Sequence, residues 1–167
     1  LARQPSLEQP LRAFRERSIY VVPLFERRLY SIPESDLGVE SVLGLARRCE
    51  KEAFGLERAP RPLLAIPHLL SGSGACSYQG YLLAHMAVYQ TRHHFIRKYG
   101  GLVDRPEIGR DLADAYWRIG NRITHSESVL RLTGRPLSGE SLADECNRSV
   151  EEAIAEAKRE ARAKGLT

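Results

Sequence analysis

The chain has 167 residues, 43% of them hydrophobic and 28% charged, which excludes a disordered polypeptide and is enough for a buried core. The formal charge is +4, but basic and acidic residues interleave, as in "EEAIAEAKREARAKG", so the excess reads as solvated helix faces and nucleic acid is not an expected partner. No apolar run approaches the ~20 residues of a membrane span, so no membrane association is expected.

The elements are helical from the start. Ser6 is placed to cap a helix whose apolar residues Leu7, Leu11, Phe14, Ile19, Val22 and Phe25 fall near helical spacing. Pro23 interrupts that pattern and predicts a kink or break, and Pro33 ends the region. Ser35 or Asp36 then caps a second helix that stops at Gly55. Residues 56–68 hold three prolines and are expected to be largely extended. After the loop "SGSG", Cys76 or Ser77 opens a long helix over residues 78–99, closed by Gly100 and Gly101. Asp104 is a candidate cap for a helix ending at Gly120, and Thr124-x-x-Glu127 has the form of a capping box before a helix that stops at Gly134. Ser138 begins a last helix expected to reach Lys164 and Gly165, its far end projecting into solvent or packing against something absent from this sequence. No strand-length alternation with β-branched enrichment occurs. The predicted fold is all-α, an irregular multi-helix bundle of six or seven helices forming a single helical domain over residues 1–167.

Cys49, Cys76 and Cys146 lie far apart without a CxxC pair, which predicts reduced thiols in a cytoplasmic protein. The opening "LARQPSLEQPLRAFRERS" has no secretory apolar centre and no initiator Met, and the chain is expected to be a piece of a longer protein.

Five histidines are present: His68, His85, His93, His94 and His125. None sits in HExxH, the spacing that places two imidazoles on one helix face with a Glu beside the metal water, so no metal ligand is assigned. His93 and His94 diverge on a helix, and one partly buried and one exposed ring is expected. Gly72 and Gly74 lack the Lys-Ser/Thr ending of a phosphate loop and no strand precedes them. Cys76 near His68 permits a thiol-nucleophile reading, set against the commoner small thiol at a helix start.

What remains is the ordered set His68, glycine-serine loop, Tyr78 and Tyr81. Tyrosines at i and i+3 share a helix face, and a phenol or imidazole can donate to the oxygen that turns negative when a peptide carbonyl is attacked. On periodicity alone, both tyrosines read first as core aromatics with satisfied hydroxyls.

The stretch "AIPHLLSGSGACSYQGYLLAHMAVYQTRHHFIRKYGG" resembles the C-terminal region of the thimet oligopeptidase and oligoendopeptidase F zinc metallopeptidases. In that family a histidine, a glycine-containing loop and several tyrosines precede a long helix. "LARRCEKEAFGL", "GLVDRPEIGRDLADAYWRIGN" and "SVLRLTGRPLS" extend the likeness from about Leu11 to Val150. The resemblance implies the C-terminal part of a zincin-like catalytic domain, with short peptides as substrates. It implies that His68 contacts substrate near the scissile bond and that Tyr81 bonds substrate or the oxyanion, so these two are the catalytic candidates. Tyr78 would line the same cleft, and Gly72 and Gly74 would let the loop close over a peptide. Where many members have a further tyrosine after the glycines, this chain has Gly74, Ala75, Cys76 and Ser77, which leaves the oxyanion contact to Tyr78 or Tyr81. HExxH and a third ligand, a Glu, are absent from this sequence. Zinc is therefore expected only in the full-length enzyme, none is expected on this chain alone, and the N-terminal part of the same catalytic domain is the expected partner. An apolar face left exposed would permit self-association. The alternative reading is a metal-free helical interaction module that keeps the scaffold without catalysis.

Overall fold

A computed structural model of the protein describes residues 3–56, 62–163 and 165. Every regular element among them is helical: α1 (Arg3–Leu29), α2 (Val39–Phe54), α3 (Pro67–Leu70), α4 (Gln79–Tyr99), α5 (Pro106–Leu112), α6 (His125–Thr133), α7 (Glu140–Asn147) and α8 (Val150–Ala163). None of these helices is long and apolar enough to cross a membrane. The chain divides into two compact units, one made of residues up to Leu82 together with those from Ser149 onward, the other of Leu83–Arg148.

The first unit is organised by α1 packing on α2 and α8. Val21, Val22 and Phe25 of α1 meet Leu45, Ala46, Cys49 and Ala53 of α2, and Leu63, Ile66 and Tyr78 complete the same buried cluster. Each helix contributes residues at spacings of three and four, the stripe expected of a helix with one dry face. α1 runs through Pro23 without the expected break. Val22 and Phe25, both essentially fully buried, hold the turns on either side of Pro23, and this packing offsets the missing backbone hydrogen bond. The C-terminal helix does not project into solvent, one of the two outcomes expected of it. α8 lies against α1, and Ala161 near its end is buried.

Helix ends follow capping chemistry more closely than the sequence reading did. α2 starts at Gly38, not at Ser35 or Asp36. Ser41 Oγ accepts the Gly38 N–H at 2.9 Å and donates to the Gly38 carbonyl at 2.8 Å, while residues 34–36 form a separate 3₁₀ turn. Gly55 closes α2 with φ +67°, as expected. Where it is described, the proline-rich segment is extended only at Pro62 and Ile66. Leu63–Ala65 is a 3₁₀ turn and α3 follows with Pro67 at its first position, where its fixed φ suits a helix start. Residues 57–61 of that expectation lie outside the described ones.

In the second unit Asp104 does not cap a helix. It has φ +58°, and Arg105 occupies the capping position before α5. The expected single helix up to Gly120 widens instead into a π-helical turn at Ala113–Trp117, where the Arg118 N–H reaches the Ala113 carbonyl at 2.8 Å. The Thr124–Glu127 capping box forms as read, with both reciprocal bonds present. The predicted last helix is two helices, because Ser149 and Glu152 make a second such box: Ser149 N to Glu152 Oε2 at 2.8 Å and Glu152 N to Ser149 Oγ at 3.1 Å. The reading to Lys164 falls outside the described residues there. Buried Gln90 ties α4 to the turn after α6, its Nε2 facing Thr133 Oγ1 and the carbonyls of Arg135 and Pro136, its Oε1 accepting the Ser138 N–H at 2.9 Å.

His93 and His94 are both partly buried, where one partly buried and one exposed ring was expected. His93 Nε2 lies 3.0 Å from Glu145 Oε1, which also accepts from Arg148. His94 Nε2 is buried with no hydrogen-bond partner among the described residues. Burial pushes the His94 imidazole below its ordinary value, Lys98 and Arg97 add to the effect, and Asp111 opposes it. The unfolded chain therefore takes up a proton at His94 before the folded one does. Stability is expected to fall as pH drops from about 7 through the ordinary histidine value near 6.5, and to stop falling from this source below the folded value. Urea unfolding followed by circular dichroism between pH 7.5 and 5 should show this slope, and His94→Gln should flatten it; an unchanged slope would assign the dependence to other groups.

Candidate functional site

The candidate residues lie in the first unit. His68 sits in α3, not in an extended loop, and Tyr78 and Tyr81 bracket the start of α4. Their rings meet. The His68 and Tyr78 centroids are 5.0 Å apart at 83°, His68 and Tyr81 are 5.8 Å apart at 89°, and Tyr78 and Tyr81 are 5.0 Å apart at 61°. Edge-to-face packing of this kind suits ring quadrupoles and fixes the rings relative to one another. Tyr81 Oη lies 3.4 Å from His68 Nε2, a long contact that leaves both groups capacity for another partner.

The two tyrosines differ in environment. Tyr78 is 9% exposed and belongs to the core cluster with Val22, Phe25 and Ile66, whereas Tyr81 is 50% exposed. Tyr78 thus serves as the buried backing of the group, and the open polar edge is formed by Tyr81 Oη with His68 Nε2.

The intervening loop is short-range and densely bonded. Ser71 O accepts from the Gly74 and Ala75 N–H groups at 3.0 and 2.9 Å, and Ser77 Oγ donates to Gly74 O at 2.6 Å. Gln79 Nε2 donates to Cys76 O at 2.6 Å. The two glycines play unequal parts. Gly72 has open space around it, while a Cβ on Gly74 would come within 3.2 Å of Ser71 Oγ and 3.6 Å of His68 Cα. Neither has a positive φ; the left-handed residue of the loop is Cys76, with φ +57°.

Two residues that sequence reasoning passed over, Glu26 on α1 and Tyr30 in the turn that follows it, belong to this neighbourhood. Glu26 Oε1 accepts the Cys76 N–H at 2.7 Å. Tyr30 lies beside the Cys76 thiol, whose charge and hydrogen bond push the Tyr30 phenol above its ordinary value. The available signal was a glutamate one turn after Val22, on the stripe that carries Phe25. Of the other cysteines, Cys49 is fully buried, and burial pushes its thiol up against the opposing hydrogen bond from Arg28, while Cys146 is half-buried.

Zinc does not fit the groups present. Among the described residues no three His, Cys, Asp or Glu side chains gather where a metal ion could be held, and protein zinc sites take at least three such ligands. His85, His93, His94 and His125 lie in the second unit.

No protein-family model, curated protein or solved structure matches the chain.

The strained Cys76 backbone gives a direct check on the loop. A left-handed conformation costs a non-glycine residue about 1–2 kcal/mol, part of which glycine gives back through its freer unfolded chain. Cys76→Gly is expected to raise stability by about 0.5–1 kcal/mol, and β-branched Cys76→Val to lower it, both read from urea midpoints. Destabilisation by Cys76→Gly would show that the thiol contact with Tyr30 outweighs the backbone strain.

Proposed function

We propose that this chain is the C-terminal, substrate-binding portion of a zinc-dependent oligoendopeptidase that hydrolyses short peptides. The observation that carries the reading is the convergence of the His68 and Tyr81 polar edges, 3.4 Å apart, on a platform backed by buried Tyr78. Opposite sides of the molecule would have defeated it. The likeness of the Ile66–Gln90 stretch to the zinc oligopeptidases supplies the chemistry such an edge would serve.

Under this reading the residues present here do not bind the metal, and no step is routed through it. Their work is on the peptide. The Tyr81 phenol donates a hydrogen bond to the carbonyl oxygen of the scissile bond, a bond that strengthens as negative charge develops there. The His68 imidazole holds the peptide backbone at the adjoining position. Tyr78 acts through packing, because its ring keeps the other two from turning away. Edge-to-face rings that are already in place require little rearrangement when substrate arrives, which is the condition for such donors to be effective.

Tyr81→Phe removes the donor and keeps the ring. In the zinc-loaded enzyme that contains this chain, kcat for a fluorogenic short peptide is expected to fall on the order of 10²-fold, the usual cost of one oxyanion donor, with bound zinc unchanged. Wild-type kcat in that variant would remove Tyr81 from the reaction and leave the scaffold as a helical interaction module.

A further inference from the structure

Glu26 is 4% exposed, on the face of α1 that packs into the first unit's core. Its Oε1 accepts the Cys76 N–H across fifty residues, and its Oε2 is buried with no hydrogen-bond partner among the described residues. A carboxylate in that position is expensive for stability alone, since an apolar side chain would fill the same volume without desolvating a charge. The gain is found at the other end of the bond. Cys76 holds φ +57°, and a charge-assisted hydrogen bond to its N–H stabilises that conformation more than a neutral acceptor would.

The residues after Cys76 depend on that conformation in sequence. Cys76 O receives Gln79 Nε2, Ser77 O receives the Gly80 N–H at 3.0 Å, and Tyr78 O receives the Tyr81 N–H at 3.1 Å. These bonds start α4 and set the rotation at which Tyr81 leaves it. On the other side of the loop, Gly74 abuts the His68 backbone. The loop is therefore bracketed by the two candidate residues, and Glu26 ties it to α1 from outside.

We infer that Glu26 is a positioning residue for the His68–Tyr81 pair, latching the loop at Cys76 so that the two polar edges face one site. Its consequence for peptide turnover rests on the proposed peptidase reading; the latch itself does not.

Amide hydrogen exchange on the chain and turnover by the zinc-loaded enzyme containing it separate the two. In Glu26→Leu the Cys76 amide is expected to exchange about tenfold faster or more, while the Ala46 and Cys49 amides of α2 keep their protection. Glu26→Gln, which retains an acceptor oxygen, should restore Cys76 protection to within about threefold. Glu26→Asp, one methylene shorter, should reproduce the loop-restricted loss and decides the matter should the leucine variant not fold. In turnover, Glu26→Leu should lower kcat about tenfold, and this loss should shrink below about threefold in a Tyr81→Phe background, because a positioning residue acts through the group it positions. Unchanged Cys76 exchange in both the Leu and Asp variants, or equal kcat losses in both tyrosine backgrounds, overturns the inference. Unchanged turnover in Tyr81→Phe defeats the peptidase reading instead, and leaves the exchange result to decide the latch.

Discussion

The burial of Tyr78 is the constraint on which the candidate site depends. It belongs to the buried cluster that includes Val22, Phe25, Leu63 and Ile66, and an aromatic side chain of that size removed from water contributes about 2–3 kcal/mol. With Tyr78 fixed inward at the start of α4, a residue three positions later falls on a neighbouring line of the helix surface. Tyr81 is therefore held against Tyr78 and cannot escape to the far side of α4. His68 arrives from the other direction, carried by α3, whose own position is set by Leu63 and Ile66 entering the same cluster. One residue of α3, one of α4 and one just before α4 meet because the core takes one ring and the turns between them are short.

Charge is arranged around that apolar anchor in two ways that differ in worth. The Arg28–Glu52 pair is close, at 2.6 and 3.2 Å, and Arg28 holds the Glu52 carboxyl below its usual range. Both side chains are about half exposed, however, and water screens such a pair to a small contribution. Glu26 is the reverse case. It makes one bond to a backbone amide, but in a setting with little solvent to compete, so the bond is strong and its loss would be felt. The surface pair stabilises α1 against α2 marginally, whereas the buried carboxylate determines a loop conformation.

The all-helical character and several helix ends could be read from the sequence because they rest on local rules. Gly55, Gly100 and Gly134 all take positive φ where a helix was expected to stop, and Thr124 with Glu127 forms the box its spacing announces. The Ser149-x-x-Glu152 pattern obeys the same rule, yet it lay inside a continuous run of helix formers, and propensity masked the break. Pro23 misled in the opposite sense: the local rule forecast an interruption, and tertiary burial of Val22 and Phe25 overrode it. The charged composition of α8 points to a solvent-facing end, yet the helix packs on α1 and Ala161 is buried. Of the site, the types and order of His68, Tyr78 and Tyr81 were legible, and the spacing of the tyrosines placed them together. The unequal burial of the two tyrosines was not, since a three-residue spacing is the same for a core ring and an exposed one. Glu26 was beyond local reading altogether, because its partner lies fifty residues away and is a backbone amide that carries no side-chain signature.

That last feature bears on how such a site keeps its shape. A hydrogen-bonding edge made of side chains on two helices would ordinarily drift as the connecting loop samples conformations. Here the loop has a backbone bond inside each turn, a left-handed residue that resists alternatives only while its amide is held, and a carboxylate holding it from a helix anchored in the core. Each element alone is marginal: the turn bonds are short-range, the Cys76 conformation is strained, and the Glu26 charge is costly to bury. Together they cancel one another's weakness, because the strain at Cys76 is offset by the strong acceptor and the buried charge is justified by the amide it meets. The His68–Tyr81 edge is thus positioned by the same core that buries Tyr78, and its geometry is a property of the folded unit even before a peptide or an ion is brought to it.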